Sequence, residues 1–391
     1  MDLYFITEGR FIRHLDGKVY SKGGFDYSLW RRYLTFFDNV YVVARVVKDY
    51  QHTSNKSNLA SGDRVSFIDL PYYVGPYEYI TNVNKIKRVL KLIFHSGAAY
   101  ICRVPGQIGI LAANMLNKKN IPYAVEVVGD PWDVFAPGGI GNVLRPFLRY
   151  FGRDSLKKIV RRSSTALYVT NSKLQLRYPV KKQIFSVGVS DVKINENVIP
   201  PKPHCLSVRP QILKIISIGS LEQMYKAPDI ALKAIKLLMN DNVLCNLTWL
   251  GDGHYKQDMI KLSQDLGISS EVKFVGNVLP NMVYEYLSAA DVFILVSRTE
   301  GLPRALIEAM SMGLPCVGSD VGGIPELLDK SVLVRKNSVD DLVSVIKQFY
   351  NNISFFNSQA SRNFQEAKKY YECALNEKRE LFYNEIKRIS K

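Results

Sequence analysis

The chain has 391 residues, 47% of them hydrophobic, and a formal net charge of +16. That length exceeds one compact core and suits two domains. No apolar run approaches the ~18 residues a membrane span requires, and the charged start (Asp2, Glu8, Arg10, Arg13) lacks the apolar stretch of a signal peptide.

The first half predicts strands at 3–6, 40–44, 65–69, 99–103, 123–128 and 166–169, with helical patterns at 27–37, 81–94 and 106–117 between them. Such alternation implies a parallel sheet covered by helices. Before the first helix stand Gly23 and Gly24, a pair that admits a phosphate or sugar close to the backbone or simply makes a turn. The strand ending at Val128 runs into Gly129, Asp130 and Pro131. Asp130 suits two roles, hydrogen-bond acceptor for a substrate hydroxyl or turn and cap residue. Arg145, Arg149, Arg153, Lys157 and Arg161 recur every four residues, beside Phe147, Leu148, Phe151, Leu156, Ile159 and Val160. As a helix this gives a basic stripe beside an apolar one, fit for an anionic membrane or for packing on the sheet with arginines in water. Residues 1–200 hold 29 Lys+Arg against 15 Asp+Glu, and the remainder holds 23 against 21. The basic excess therefore belongs to this half and points to an anionic partner: a membrane surface, a nucleic acid or a phosphorylated substrate. No nucleic-acid signature accompanies it, so nucleic acid is not the expected partner.

Three prolines within 198–203 read as a linker. The expected division is 1–200 and 201–370, with a terminal helix at about 371–391. A second strand-helix series opens at 213–218 and continues through 247–250, 272–274, 292–296 and 315–318. Gly219, Gly251 and Gly276 and, further on, Glu300 follow strands, where α/β sheets collect ligands. Five scattered cysteines without C-x-x-C and five histidines without H-x-x-x-H give no support for disulfides or a metal centre.

The densest information lies at 297–327, SRTEGLPRALIEAMSMGLPCVGSDVGGIPEL. Glu300 falls in the loop after a strand and Glu308 on the next helix, a little over two helical turns on, so both can face one pocket. Gly301 permits close backbone approach, and the helix start offers free N–H groups to an anion. Upstream, Gly219 and Ser220 at a strand end are followed by Lys226, a point charge for phosphate oxygens. Taken alone, these residues also fit a solvated helix surface and an ordinary surface lysine.

Together the run with its E-x7-E, EGLP, EAM and GGIPEL resembles the donor site of glycosyltransferase family 4 (group 1). The resemblance implies a GT-B fold: two Rossmann-like domains facing across a cleft, the last helix crossing back to the first. It implies a retaining transfer of a hexosyl group from a nucleotide-diphosphate sugar, most often UDP- or GDP-linked, with no metal required. By the same resemblance Gly24, Gly219, Ser220, Lys226, Gly276, Glu300, Gly301, Leu302 and Glu308 bind the donor. Glu300, Lys226 and Asp130 serve the reaction, with Asp130 beside the place where the family carries a histidine. Ser220 stands where an arginine is common, and Ala227 replaces the glycine that usually follows the lysine. Basic charge and family habit together point to a polyprenyl-diphosphate-linked saccharide acceptor, at the inner face of the plasma membrane, in capsule, O-antigen or exopolysaccharide synthesis. A soluble acceptor is the nearest alternative, and a basic nucleic-acid-binding protein the distant one.

Overall fold

A computed structural model describes residues 1–21, 23–49, 58–135, 145–192 and 194–391. The chain forms two compact units, one of Met1–Asp130, Phe151–Val189 and Glu377–Lys391, the other of Pro131–Tyr150 and Ser190–Asn376. The division expected at 200 falls between Val189 and Ser190, and the proline-rich stretch lies within the second unit. It is not a free linker. Gly313 (φ +74°) has no Cβ, and one built there would stand 2.5 Å from Pro203 Cα. The His204 N–H then donates to the Gly313 carbonyl at 3.2 Å.

The first unit contains strands β1 (Leu3–Arg13), β2 (Val19–Ser21), β3 (Val40–Lys48), β4 (Asn58–Leu59), β5 (Val65–Leu70), β6 (Ala99–Val104), β7 (Ala124–Val127), β8 (Thr165–Tyr168) and β9 (Ser186–Gly188). Among the described residues the parallel order is β5-β3-β1-β6-β7-β8-β9, with β2 antiparallel on the far end of β1 and β4 beside β2. The expected strand at 3–6 runs on to Arg13 because β1 shifts register between Ile6 and Arg10 and then pairs again. Within that irregularity Glu8 accepts from the Ile108 N–H at 2.9 Å, giving a polar residue mid-strand a partner.

Helices α1 (Tyr27–Leu34), α2 (Gly75–Ile93), α3 (Gln107–Lys118), α4 (Pro131–Val134), α5 (Arg145–Arg162) and α6 (Lys173–Arg177) follow their strands, α4 and the first residues of α5 belonging to the second unit. The Asp26 carboxylate caps α1, accepting from the Leu29 N–H at 3.1 Å. Helix α2 starts at Gly75 rather than at 81, because Pro76 in its first turn has a φ already suited to a helix. Ile86 and Leu90 of α2, Ile108 and Ala112 of α3, and Leu156, Ile159 and Val160 of α5 bury against Val43, Tyr100, Cys102, Val104, Val125 and Val127 of the sheet. Another cluster packs Phe5 edge-on against Trp30 at 5.2 Å and Tyr33 at a tilt against Tyr383 at 5.1 Å.

The second unit contains β10 (Leu213–Ile218), β11 (Cys245–Leu250), β12 (Val272–Gly276), β13 (Val292–Leu295), β14 (Cys316–Ser319) and β15 (Leu333–Val334), parallel throughout in the order β12-β11-β10-β13-β14-β15. Its helices are α7 (Pro228–Asn240), α8 (Lys256–Asp265), α9 (Pro280–Ser288), α10 (Arg304–Ser311), α11 (Val339–Asn351) and α12 (Ile353–Ala367), and α13 (Glu372–Ile389) begins here. From Glu377 onward the chain belongs to the first unit. Among the described residues no helix is long and apolar enough to cross a membrane. Strand order reverses at the neighbours β10 and β13, which makes their carboxyl ends the natural place for a ligand.

Candidate active site

After β10 the chain turns at Gly219, makes a short helical turn over Met224–Lys226, passes through Ala227 in the left-handed conformation (φ 52°, ψ 49°) and enters α7. The lysine stem folds back over the strand end, so that a Cβ on Gly219 would stand 2.7 Å from Lys226 Cγ. Lys226 Nζ then donates to Glu300 Oε1 at 2.5 Å, across 74 positions of sequence. The same oxygen accepts from Ser297 Oγ at 2.6 Å. Both charged side chains are largely buried, with 12% of Lys226 and 9% of Glu300 exposed, which strengthens their mutual attraction relative to water.

Glycines let the loops close around this pair. A Cβ on Gly322 (φ +55°) would overlap the Glu300 carbonyl group, and one on Gly323 would stand 2.7 Å from the Gly301 carbonyl oxygen. The Gly323 N–H donates to that oxygen at 2.7 Å. The GGIPEL segment therefore supports the backbone of Glu300 and Gly301. On the other side, Gly251 (φ +135°) admits the Gly219 carbonyl, and Trp249 Nε1 donates to that carbonyl at 2.9 Å. Ser220 is exposed, and its hydroxyl accepts from the Glu222 N–H at 3.2 Å; it shapes the turn and brings no charge. Gly276 ends β12, two strands from β10, where a Cβ would stand 3.0 Å from Asp252 Oδ2.

Arg298 was not singled out by sequence, yet it fastens the loops together. Its N–H donates to the Tyr225 carbonyl at 2.6 Å. Its guanidinium donates to the Met224 carbonyl at 2.5 Å, to Asp229 at 2.7 Å and to Asn337 Oδ1 at 2.9 Å. The one available sequence signal was an arginine two residues before Glu300.

Gly301 is exposed and Leu302 half-buried, and both precede α10, whose first turn has no side-chain cap. The uncapped amides are positioned for an anion. Glu308, one turn into α10, is half-buried. Burial holds its carboxyl above the usual glutamate range, and the Arg304 guanidinium opposes that shift.

The remaining candidates belong to the first unit, apart from the start of α5, which belongs to the second. Gly24 is exposed in the first unit, with open space where a Cβ would be. Asp130, at the end of β7, is buried and already engaged: Arg177 forms an ion pair with one oxygen, and the Tyr178 hydroxyl donates to the other at 2.5 Å. It fastens α6 to the sheet, a role its position before Pro131 did not disclose. The basic series does form one helix, α5, uninterrupted by Pro146 and Gly152. Arg149 lies 3.8 Å over the Trp132 ring, and Arg153 bonds its neighbour Asp154 at 2.9 Å, whereas Lys157 and Arg161 are exposed.

Two Rossmann-like sheets, the second parallel throughout with its strand order reversing at β10 and β13, define the GT-B fold. Glycosyl transferases group 1 match residues 209–369, and the chain belongs to that family. It is 31% identical over 356 residues to Protein CapJ of Staphylococcus aureus, covering 89% of this chain and 86% of that one. It is 28% identical over 184 residues to the O-antigen biosynthesis glycosyltransferase WbnH of Escherichia coli, covering 46% of this chain and 51% of that one. Among solved structures, sucrose-phosphate synthase from Thermosynechococcus elongatus superposes with a TM-score of 0.72 at 14% identity, over 99% of both chains. Anabaena HepE in complex with UDP and glucose gives a TM-score of 0.64 at 14% identity, over 98% of this chain and 99% of that one.

Proposed function

We propose that this protein is a retaining glycosyltransferase that moves a hexosyl group from a nucleotide-diphosphate sugar to a polyprenyl-diphosphate-linked saccharide during surface polysaccharide synthesis. The observation that carries the reading is the buried Lys226–Glu300 pair at the ends of β10 and β13. A diphosphate supplies Lys226 with anionic oxygens, and the sugar supplies Glu300 with hydroxyl donors. Gly301, Leu302 and the uncapped start of α10 offer N–H groups to the leaving group, and Gly219 and Ser220 leave room for it. Glu308 accepts from the ribose hydroxyls, with Gly276 and Gly24 as further donor contacts. UDP in the HepE complex and the O-antigen role of WbnH support a nucleotide sugar, UDP- or GDP-linked, and a surface glycan.

In this scheme the acceptor hydroxyl attacks the anomeric carbon on the face the diphosphate leaves. The new glycosidic bond forms as the carbon–phosphate-oxygen bond breaks, and the leaving phosphate oxygen takes the hydroxyl proton. Backbone amides and Lys226 stabilise the departing charge, so no metal is needed and no side chain becomes a covalent nucleophile. Asp130 serves as a positioning residue in the first unit through Arg177 and Tyr178. The basic stripe of Arg145, Arg149, Arg153, Lys157 and Arg161 faces the acceptor or an anionic membrane at the cytoplasmic side.

The test is a thermal-shift and hydrolysis screen against UDP-, GDP-, ADP- and CMP-sugars. Stabilisation and slow hydrolysis by one donor, both lost in Glu308→Ala, is the expected result. Silence toward every donor from a folded protein, with and without a lipid-linked acceptor, sinks the reading.

A further inference from the structure

Helix α2 presents to solvent a surface that no donor-site argument uses. Val74 is 52% exposed, Tyr77 79% and Ile80 67%, with Tyr72 beside them at 38%. Isolated exposed apolar residues are ordinary, but several large ones within nine positions mark an interaction surface. The helix is not loosely oriented, because Ile86 and Leu90 on its other side are buried in the core. Two further turns along the outward face, Lys85, Arg88 and Lys91 are exposed; Tyr77, Ile80, Asn84, Arg88 and Lys91 share one stripe at spacings of three and four. The acid in the first turn, Glu78, is turned back onto the backbone, accepting from the Val74 N–H at 2.7 Å. Because α2 follows β5, its apolar end lies at the carboxyl edge of the sheet, the edge where substrates collect, with the cations behind it.

We propose that this face of α2 docks the first unit on an anionic bilayer, with Tyr77 and Ile80 entering the acyl boundary and Lys85, Arg88 and Lys91 holding headgroups. The proposal rests on the reading that the acceptor is carried on lipid, and it places the membrane at the rim where that acceptor must arrive. Aromatic and aliphatic tips backed by cations match the bilayer interface layer for layer. A second copy of the chain is the poorer occupant, because it would oppose the same basic residues across the contact, in a half that holds 29 basic against 15 acidic residues.

The full chain is floated with vesicles of phosphatidylcholine alone and of phosphatidylcholine with phosphatidylglycerol. The variants are Tyr77→Ser/Ile80→Ser, Lys85→Ser/Arg88→Ser/Lys91→Ser and, on α5, Lys157→Ser/Arg161→Ser. Thermal melting confirms that each folds, and hydrolysis of the soluble donor is followed in parallel. Expected is salt-sensitive binding to the phosphatidylglycerol vesicles, reduced about a hundredfold by loss of the three cations, reduced as well by the apolar pair, and retained in part by the α5 variant. Donor hydrolysis stays unchanged in both α2 variants. Vesicle binding unaffected by either α2 set, or no binding by the parent chain, overturns the proposal. So does a self-association, seen by light scattering, that Tyr77→Ser/Ile80→Ser abolishes. Absent donor turnover with vesicle binding intact would remove the transferase reading and leave this surface standing.

Discussion

Arg298 shows how much of a site is carried by a residue that need not touch substrate. Its side chain reaches Met224, Asp229 and Asn337, and so holds in place the loop that delivers Lys226 to Glu300. If it acts through Lys226, the two are coupled and their losses are not additive. Arg298→Gln is expected to weaken donor binding about tenfold, the worth of a hydrogen bond to a charged group, and to do little further in a Lys226→Met background. Calorimetry on the double-mutant cycle decides this; simple additivity would reduce Arg298 to general support. Ala227, at φ 52°, makes the opposite point. A side chain in the left-handed region is strained, so Ala227→Gly is expected to stabilise the fold by up to about 1 kcal/mol in urea titrations.

On the proposed function, Glu308 ties donor binding to pH. Its folded carboxyl titrates above the usual glutamate range, so the proton is favoured by the fold. Its stabilising contribution is complete below the unfolded value and is lost as pH rises through the folded one. Ribose hydroxyls demand the reverse, since they donate to the ionised form. Donor affinity should therefore fall on acidification at a higher pH than an ordinary glutamate would dictate, and Glu308→Gln should erase that step. A step that survives in the variant belongs to another group. That Glu300 and Glu308 share one strand-loop-helix unit, and Gly219 and Lys226 another, was legible; that Lys226 and Glu300 pair across 74 positions was not. Arg298 and Asp130 were not, because their roles depend on partners such as Asp229 and Arg177, 69 and 47 positions away.

At the scale of elements, apolar periodicity revealed the long parallel strands, most clearly those such as β7, β8, β13 and β14 that are buried on both faces and read as continuous runs. It missed the short β2, β4, β9 and β15, of three, two, three and two residues, whose existence depends on pairing with neighbouring strands rather than on their own composition. It also stopped β1 at Ile6, where polar Thr7 and Glu8 mask the continuation. The same limit applies to the glycines of GGIPEL, whose spacing did not disclose that they form a bearing surface for the neighbouring loop. Gly322→Ala places a methyl group against the Glu300 carbonyl, and the 300–302 loop must move to admit it. Donor binding should fall by at least about tenfold, more than in Gly24→Ala, whose surroundings are open. Equal effects at both positions would refute the account.

For the whole molecule, the chain's return to the first unit is a stability matter as well as a topological one. Phe382, Tyr383 and Ile386 are buried, and Tyr383 packs on Tyr33 and Phe36. Burial pushes its hydroxyl up to about 12, so it remains neutral through the working pH range. Tyr383→Ala should cost about 3–5 kcal/mol, as expected for removal of a buried aromatic ring, read as a lowered denaturation midpoint. The sequence foretold two Rossmann-like sheets and a terminal helix; it did not foretell that 131–150 would group with the second unit, because segment membership follows from long-range packing.

The Lys226–Glu300 pair has a consequence for discrimination. Each charge satisfies the other. A ligand that brings only phosphate draws Lys226 away and leaves a nearly buried carboxylate with little beyond the Ser297 hydroxyl, a costly residue of charge. A ligand that brings phosphate and sugar together compensates both sides of the separation at once. On the proposed function the pair makes a two-key lock, expected to resist inorganic phosphate and other fragments of the donor and to yield to the intact molecule.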